Sequence, residues 1–411
     1  MIKLIHNSKF KTIYFSYNFT FEIIKDKLSK KVLTALLLSK GCKKYKNVNI
    51  IEEYLSSLYG SNFDVNIEKV GDLFNIEFKI ECVNKKYLPN NIDVLNDCIK
   101  FIYEIIYNPN FNDNLFDENM FLNEKNQLIN KIDEIKDEKL KYGVIRSEEL
   151  ICKNEPFGIY VYGTKESVEK IENKELYDTY IDLINNSKVS VIISGNLDGY
   201  DINEDNINEI FNDKIKNKKL VLNKTNCDDK LEIIEEKCKT SQAVITFGLR
   251  LKDMNMNSFA ILNVYNSILG GSASSKLFKN FREKESLGYA VRSRYYRFKG
   301  IVIIYAGIDY ITYEKAKQVI TDNINEMKNN ISDAELFSAK STLIADLKEW
   351  KDSKVSLAKL EYSNIILDEN LSIDSVIKDI ENVTIDQVKN IANNLDIKLI
   401  YLLGDKDDSK K

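Results

Sequence analysis

Metal chemistry is limited from the outset by the histidine and cysteine content of the chain. The 411 residues include one histidine, His6. The six cysteines are at least eleven positions apart, so there is no CxxC motif for zinc binding or redox chemistry. A single histidine cannot supply the pair of imidazoles that many zinc sites use. We predict that the thiols are reduced and mostly buried, as in a cytosolic protein.

A different chemistry is suggested by an arginine and a tyrosine seven positions apart, Arg282 and Tyr289. The pattern predicts a helix over 274–286, with Arg282 near its C-terminal end. Gly288 would permit a sharp exit and Tyr289 would begin a strand, so both side chains could lie on one side of the turn. A guanidinium only donates hydrogen bonds and a phenol donates readily, which suits an oxyanion rather than proton abstraction. The alternative is a surface arginine among glutamates and a tyrosine packed at a strand start.

The first half of the chain supplies a regular series of elements. Its apolar patterns predict a strand over 12–19, helices over 28–39 and 50–58, a hairpin over 63–82, helices over 92–107 and 116–142, and a strand over 188–194. Gly41 and Gly60 suit the ends of the first two helices, and Gly71-Asp72 suits the hairpin turn.

The second half repeats this order around the Arg282 segment. The patterns predict a strand over 243–251, helices over 257–269 and 274–286, a hairpin over 290–309, and helices over 313–328 and 333–347. The order β-α-α-β-β-α-α occurs twice, which indicates an internal duplication and an α+β fold. We predict domains at 1–200 and 235–411, joined by a polar linker at 201–234, which face each other across a cleft.

The end of the first predicted helix carries a recognisable run, Ser39-Lys40-Gly41-Cys42. It resembles the Lys-Gly-Thr-like helix end that follows the inverted zinc motif His-x-x-Glu-His in the insulinase-type peptidases, the M16 family. The resemblance covers essentially the whole chain. Counting back, Val32 and Leu36 stand where the two histidines would be, and Ala35 stands where the catalytic glutamate would be. Hydrocarbon side chains offer zinc no lone pairs, so the resemblance implies a chain without the metal.

The family's third zinc ligand is a glutamate farther along the chain. The stretch 124–132, Glu-Lys-Asn-Gln-Leu-Ile-Asn-Lys-Ile, resembles the segment that supplies it and places Lys131 at the ligand position. The distance from Leu36 to Lys131 is longer than in typical active members. A cationic lysine at this position would repel zinc, so the same conclusion follows for the third ligand.

A second set of family motifs is present in the other half. Gly270-Gly271-Ser272 begins a run that resembles the Gly-Gly…Ser-Ser-Arg-Leu-Phe segment, and residues 282–291 resemble Arg-Glu-Lys-x-x-Leu-x-Tyr-x-Val. In the family, an arginine and a tyrosine of this second stretch hold the substrate backbone and steady the charge on the scissile carbonyl. Arg282 and Tyr289 match those positions. Gly270, Gly271 and Ser272 are predicted substrate contacts, with a helix end and a serine N-cap as the equal alternative.

The resemblance therefore implies a non-catalytic subunit of a heterodimeric zinc peptidase. Such a chain would donate Arg282 and Tyr289 to a zinc-bearing M16 sister subunit, which holds the cofactor, and would help to enclose a peptide or unfolded polypeptide. The alternative is an inactive M16-like scaffold or peptide-binding protein. The run at 152–158, Cys-Lys-Asn-Glu-Pro-Phe-Gly, resembles a bacterial branch associated with 5-aminopentanol modification of elongation factor P. The isolated chain is a possible homodimer.

Charge and hydropathy exclude several other classes of partner. The 59 basic and 63 acidic residues are interspersed, which argues against a nucleic-acid-binding stripe. The longest apolar runs, 32–38 and 189–193, are too short to span a bilayer, so no membrane association is expected. The first residues show no secretory signal, and we predict a cytoplasmic location.

Overall fold

The structure is a computed structural model that describes residues 1–212, 214–220, 230–288 and 290–405. The strands are β1 Ile2–His6, β2 Thr12–Glu22, β3 Asn62–Val70, β4 Leu73–Val83, β5 Lys188–Gly195, β6 Glu232–Glu236, β7 Ala243–Leu251, β8 Val291–Tyr296, β9 Ile301–Ile308 and β10 Leu395–Leu403.

The α-helices are α1 Lys25–Leu38, α2 Val48–Ser57, α3 Val94–Tyr107, α4 Glu118–Glu134, α5 Lys139–Ile151, α6 Lys165–Glu169, α7 Leu176–Asn186, α8 Glu204–Ile210, α9 Phe259–Asn266, α10 Tyr313–Asn329, α11 Asp333–Trp350, α12 Lys354–Leu367, α13 Ile373–Glu381 and α14 Ile385–Asn394. Two π-helical stretches, Ser267–Gly271 and Phe278–Lys284, follow α9. Within the ranges described, no helix has both the length and the apolar character needed to cross a membrane.

The chain divides into two compact units, each assembled from three segments. Unit 1 comprises Met1–Ile132, Val161–Leu222 and Glu349–Ser372, and unit 2 comprises Asp133–Tyr160, Asn223–Lys348 and Ile373–Lys411. Helix α5 thus belongs to unit 2 and α12 to unit 1. The units differ from the predicted domains 1–200 and 235–411 in these two segments. The predicted division into 1–200 and 235–411 with a linker at 201–234 stays a prediction, and residues 213 and 221–229 of that linker lie outside the described residues.

Unit 1 is built on a five-stranded sheet in the order β1-β5-β2-β4-β3. Strands β1 and β5 are parallel, and the other neighbours are antiparallel. On β2, Ile13, Phe15, Tyr17 and Phe19 alternate along one face and are fully buried. The period of two follows from the pleat of a strand and explains why β2 was predictable from the sequence.

The opposite face of the same sheet is polar but also buried. Asn18 and Thr20 on β2 are almost inaccessible to solvent. Asn75 donates a hydrogen bond to the Asn18 side-chain oxygen at 3.0 Å, and the hydroxyls of Thr20 and Tyr362 lie 2.9 Å apart. Tyr362 comes from α12, which packs on β5 and β2. Buried polar groups need hydrogen-bond partners, and α12 supplies part of them.

Unit 2 contains a second five-stranded sheet, in the order β6-β10-β7-β9-β8. Strands β6 and β10 are parallel, and the other neighbours are antiparallel. Helix α5 covers one face: the Ser147 and Thr246 hydroxyls lie 2.5 Å apart. A Cβ atom at Gly143 would lie 2.8 Å from a methyl carbon of Val244, so glycine allows α5 to approach the sheet.

The two sheets have the same topology, strand for strand. In each, the first strand of the unit is parallel to the last, and the central hairpin follows a pair of helical segments. The predicted α+β fold with duplicated topology is confirmed. The order β-α-α-β-β-α-α that was predicted from the sequence did not include β1, β6 or β10. Strands β1 and β6 are short outermost strands with weak local patterns, whereas β10 is strongly apolar and lies inside its sheet.

One predicted helix, 116–142, is wrong in extent. The structure has two helices there, α4 and α5, separated at 135–138. Most of α4 belongs to unit 1, and α5 belongs to unit 2. The chain therefore passes from one unit to the other where the predicted helix is interrupted. The hairpin turn at Gly71-Asp72 and the pairing of β3 with β4 are found as predicted.

Candidate functional site

The three zinc-motif positions of unit 1 form part of its apolar core. Val32 and Ala35 on α1 are fully buried, and Leu36 on the same helix is half-buried. Side chains at i and i+4 share one helical face, so Val32 and Leu36 have the spacing of a ligand pair. They carry only hydrocarbon. Because a zinc ion needs nitrogen, sulfur or oxygen donors, these residues do not fit the metal.

The predicted third position does not supply a ligand either. Lys131 on α4 is exposed, and its ammonium lies 4.4 Å from the centroid of the Tyr162 ring. Two turns earlier, the buried carboxylate of Glu124 forms an ion pair with Lys40 at 3.3 Å. Over the described ranges, no group of three or more His, Cys, Asp or Glu residues is arranged to hold a metal ion.

Arg282 lies on the π-helical stretch Phe278–Lys284 of unit 2. A π-helical turn is rare and is often found at functional sites. The side chain is exposed, and its guanidinium carbon lies 4.8 Å from the centroid of the Phe278 ring. Among the residues that the structure describes, no carboxylate lies within 4.0 Å of this guanidinium. Arg282 is therefore a free cation, held on one side by an aromatic ring.

Tyr289 lies outside the described residues, so its predicted approach to Arg282 stays a prediction. The segment that leads to it is described as far as Gly288. The sharp exit from the π-helix is made at Ser286, whose φ is 51°, in the left-handed region, and not at Gly288 as predicted. Gly288 has another role, because a Cβ atom there would clash with the backbone carbonyl oxygen of Gly307.

The glycine pair that precedes this segment has a structural explanation. Gly270 is buried where π-helical turn 267–271 meets β8, and a Cβ atom there would lie 2.9 Å from the Ser293 hydroxyl. A Cβ at Gly271 would lie 2.6 Å from the Asn266 side-chain nitrogen. The Ser272 hydroxyl donates to the carbonyl oxygen of Ser267 at 3.0 Å, closing the turn. These contacts favour the helix-end reading, and a role in substrate binding remains untested.

The run at 152–158 forms a buried anchor on unit 2 that the sequence did not reveal. The Glu155 carboxylate is paired with Arg250 and, at 2.5 Å, with Lys299, and all three side chains are buried. Burial would raise the pKa of Glu155, but the hydrogen bond from Lys299 and the charge of Arg250 outweigh it and lower the pKa. Phe157 packs edge-on against Tyr296 at 5.7 Å. Residues 152–158 therefore attach this segment of the chain to the unit 2 sheet.

The clash at Gly288 gives a test of the segment that carries Tyr289. Gly288→Ala should lower the free energy of unfolding by about 1–3 kcal/mol, because the added methyl group forces β9 and the segment apart. Ser286→Gly is the matched control, since glycine adopts a positive φ without strain and should leave stability unchanged or slightly higher. Urea unfolding of both variants measures the difference. Equal destabilisation by the two changes would contradict this account of the turn.

The duplicated α+β units and the apolar residues at the three predicted zinc-motif positions resemble an M16 peptidase that has lost the inverted zinc motif. The family described as "Peptidase M16 inactive domain" matches residues 170–343. A protein of Bacillus subtilis strain 168 named "Probable inactive metalloprotease YmfF" is 26% identical over 405 residues, which span 97% of this chain and 94% of that protein. The chain is therefore similar to the M16 inactive domain over residues 170–343 and to a protein named as an inactive metalloprotease over nearly its whole length.

Two further relatives add to this comparison. "Uncharacterized zinc protease YmxG" of the same Bacillus subtilis strain is 24% identical over 329 residues, which span 76% of each protein. A solved structure of a conserved protein from Enterococcus faecalis V583 matches with a TM-score of 0.88 at 24% identity, over 98% of this chain and 96% of that one. The structural likeness shows the fold alone. The predicted branch associated with elongation factor P stays a prediction.

Proposed function

We propose that the protein is a non-catalytic subunit of a two-subunit M16 zinc peptidase. The observation that carries this proposal is the free, exposed guanidinium of Arg282 in a chain whose zinc-motif positions are hydrocarbon. An M16-type site needs a metal and donors that hold the substrate. This chain retains a donor and lacks the metal ligands, so the zinc is expected in a sister subunit.

The role of Arg282 follows from the chemistry of its side chain. A guanidinium stays protonated at any working pH and presents five N–H donors in a fixed fork. It is suited to bind a peptide carbonyl oxygen and to stabilise the negative charge that develops when water attacks that carbonyl. Tyr289 would add a second donor. Neither group would abstract a proton, so water activation is assigned to the partner's zinc.

The expected partner is a zinc-bearing M16 chain, and the expected ligand is a peptide or an unfolded polypeptide. Bacillus subtilis strain 168 has both a relative named as an inactive metalloprotease and a relative named as a zinc protease. The presence of both kinds of chain in one organism supports a pairing of two such chains. We extend this to a cytoplasmic, heterodimeric peptide-processing enzyme. We also propose that the isolated chain can form a homodimer when the sister subunit is absent.

A scaffold without catalytic contribution is the second candidate. It is favoured by the structural roles of Gly270, Gly271 and Ser272, whose contacts are accounted for within unit 2. The two candidates differ in one measurable respect, the dependence of turnover on Arg282. Reconstitution with the zinc-bearing sister subunit, followed by cleavage of a flexible peptide, decides between them.

The isolated chain should bind no stoichiometric zinc and hydrolyse no peptide. The physical reason is the absence of donor atoms at Val32, Ala35 and Leu36. Metal analysis of protein prepared without chelators should find well under one zinc per chain, and a quenched-fluorescence peptide should stay intact. The sister subunit, prepared in the same way, is the positive control for metal. One zinc per chain, or hydrolysis by the isolated protein, would overturn the assignment.

A further inference from the structure

The arginines of this chain are distributed very unevenly. Only six of the 59 basic residues are arginine, and four of these six lie within residues 282–297. The remaining basic residues are all lysine. Arginine differs in having a planar fork that pairs with a carboxylate through two parallel hydrogen bonds and that stacks on aromatic rings. The concentration of arginine in one short segment points to a requirement for that geometry.

The arginines outside this segment have partners within the protein. Arg146 pairs with Glu149 and, at 3.2 Å, with Glu236, and Arg250 pairs with Glu155. The situation is different for Arg292 and Arg294 on β8. Both are exposed, and neither has a carboxylate within 4.0 Å in the part of the chain that the structure describes. These two guanidiniums are available to an external anion.

Strand β8 displays the two arginines at a regular spacing. It is the outermost strand of the unit 2 sheet and pairs with β9. Val291 and Ser293 point to the buried side, so Arg292 and Arg294 share the exposed side. Side chains two residues apart on a strand are separated by about 6.4–6.8 Å. An extended peptide beside the strand has the same repeat.

One of the two arginines is also held in position. The guanidinium carbon of Arg294 lies 5.1 Å from the centroid of the Tyr296 ring. The Tyr296 hydroxyl donates a hydrogen bond to Glu148 at 2.7 Å, and Phe157 packs against its ring. The ring under Arg294 is therefore fixed by the buried anchor. A pre-positioned guanidinium loses less conformational entropy when it binds.

We propose that Arg292 and Arg294, the β8 arginine pair, bind an extended peptide that carries carboxylates at positions i and i+2. The inference rests on the proposed function in taking peptide as the class of ligand. An outermost strand offers backbone N–H and C=O groups that a peptide can match and a nucleic acid cannot.

The test measures binding to the isolated protein, without any sister subunit. The probes are three labelled twelve-residue peptides of otherwise equal sequence, carrying Asp-x-Asp, Asp-x-x-Asp or Asn-x-Asn. Fluorescence anisotropy at low salt should show the Asp-x-Asp peptide binding about tenfold more tightly than the Asn-x-Asn peptide, because exposed ion pairs each contribute a few-fold. The Asp-x-x-Asp peptide should be intermediate.

Variants connect this preference to the β8 arginine pair. Arg292→Gln/Arg294→Gln should abolish the preference, and Arg292→Lys/Arg294→Lys should reduce it, because lysine keeps the charge without the fork. Lys237→Gln/Lys239→Gln is the matched control: these cations are also two residues apart in unit 2, exposed, and without an ion pair among the described residues. This variant should bind like the wild type.

Several results would overturn the inference. They are equal affinity for all three peptides, no binding to any of them, an equal loss in the Lys237/Lys239 control, or tighter binding of an oligothymidylate than of the Asp-x-Asp peptide. Failure of the proposed function is seen separately, as unchanged turnover when Arg282 is replaced in the reconstituted complex. The peptide-binding test uses the isolated protein and measures no turnover, so the two outcomes are independent.

Discussion

Arg282→Ala should lower the turnover of a complex reconstituted with the zinc-bearing sister subunit by on the order of 10²–10³-fold, the usual cost of losing one oxyanion donor. The guanidinium is exposed on the π-helical stretch and has no carboxylate partner among the described residues, so its removal leaves no buried charge behind. Folding and assembly should therefore survive. Single-turnover cleavage of a flexible peptide, with sedimentation of the same mixture, measures rate and assembly together.

Two further variants sharpen this test. Lys279→Ala is the matched control, because Lys279 is an exposed cation on the same π-helical stretch. It should retain wild-type turnover. Tyr289→Phe removes the second proposed donor and should also lower the rate with assembly intact. If both Arg282→Ala and Tyr289→Phe turn over at the wild-type rate, the scaffold candidate takes precedence. Loss of assembly alone would lead to the same conclusion.

Glu155→Gln should lower the free energy of unfolding by about 3–5 kcal/mol, because it breaks a buried ion-pair network by removing one partner. Glu155 neutralises part of the charge of Arg250 and Lys299, and all three side chains are buried in unit 2. Glutamine keeps the shape but not the charge, so the loss reports electrostatics rather than a cavity. Urea unfolding at neutral pH is the measurement.

The control for this prediction is Glu138→Gln, which removes an exposed pair with Lys141 at 3.2 Å. It should cost about 1 kcal/mol or less. The effect of Glu155→Gln should also depend on pH. The pKa of Glu155 is lowered in the folded protein, so its contribution to stability is present above the ordinary glutamate pKa of 4.5 and is lost as the pH falls through the lowered value. A pH-independent difference between the two proteins would contradict the ion-pair account.

The sequence alone determined most of the local elements and the absence of the zinc motif at Val32, Ala35 and Leu36. Alternating apolar residues on β2 and in the β3–β4 hairpin define strands because side chains alternate across a pleat. A single histidine, together with Val32, Ala35 and Leu36, is enough to exclude the family's zinc site, since metal binding depends on donor atoms that are visible in the sequence. The duplication was also readable, because both copies keep the same order of short-range patterns.

The tertiary structure decided which of the two sheets each helix packs against. Helix α5 packs on the unit 2 sheet through Ser147 and Gly143, and α12 packs on the polar face of unit 1 through Tyr362. The helical periodicity of a sequence shows which side chains form the apolar face of a helix, but it does not show which sheet that face packs against. The same limit applies to Glu155, whose two cationic partners lie about 95 and 144 positions away in the sequence. Such long-range pairs arise only when the chain folds, and they fix the segments that local patterns leave undetermined.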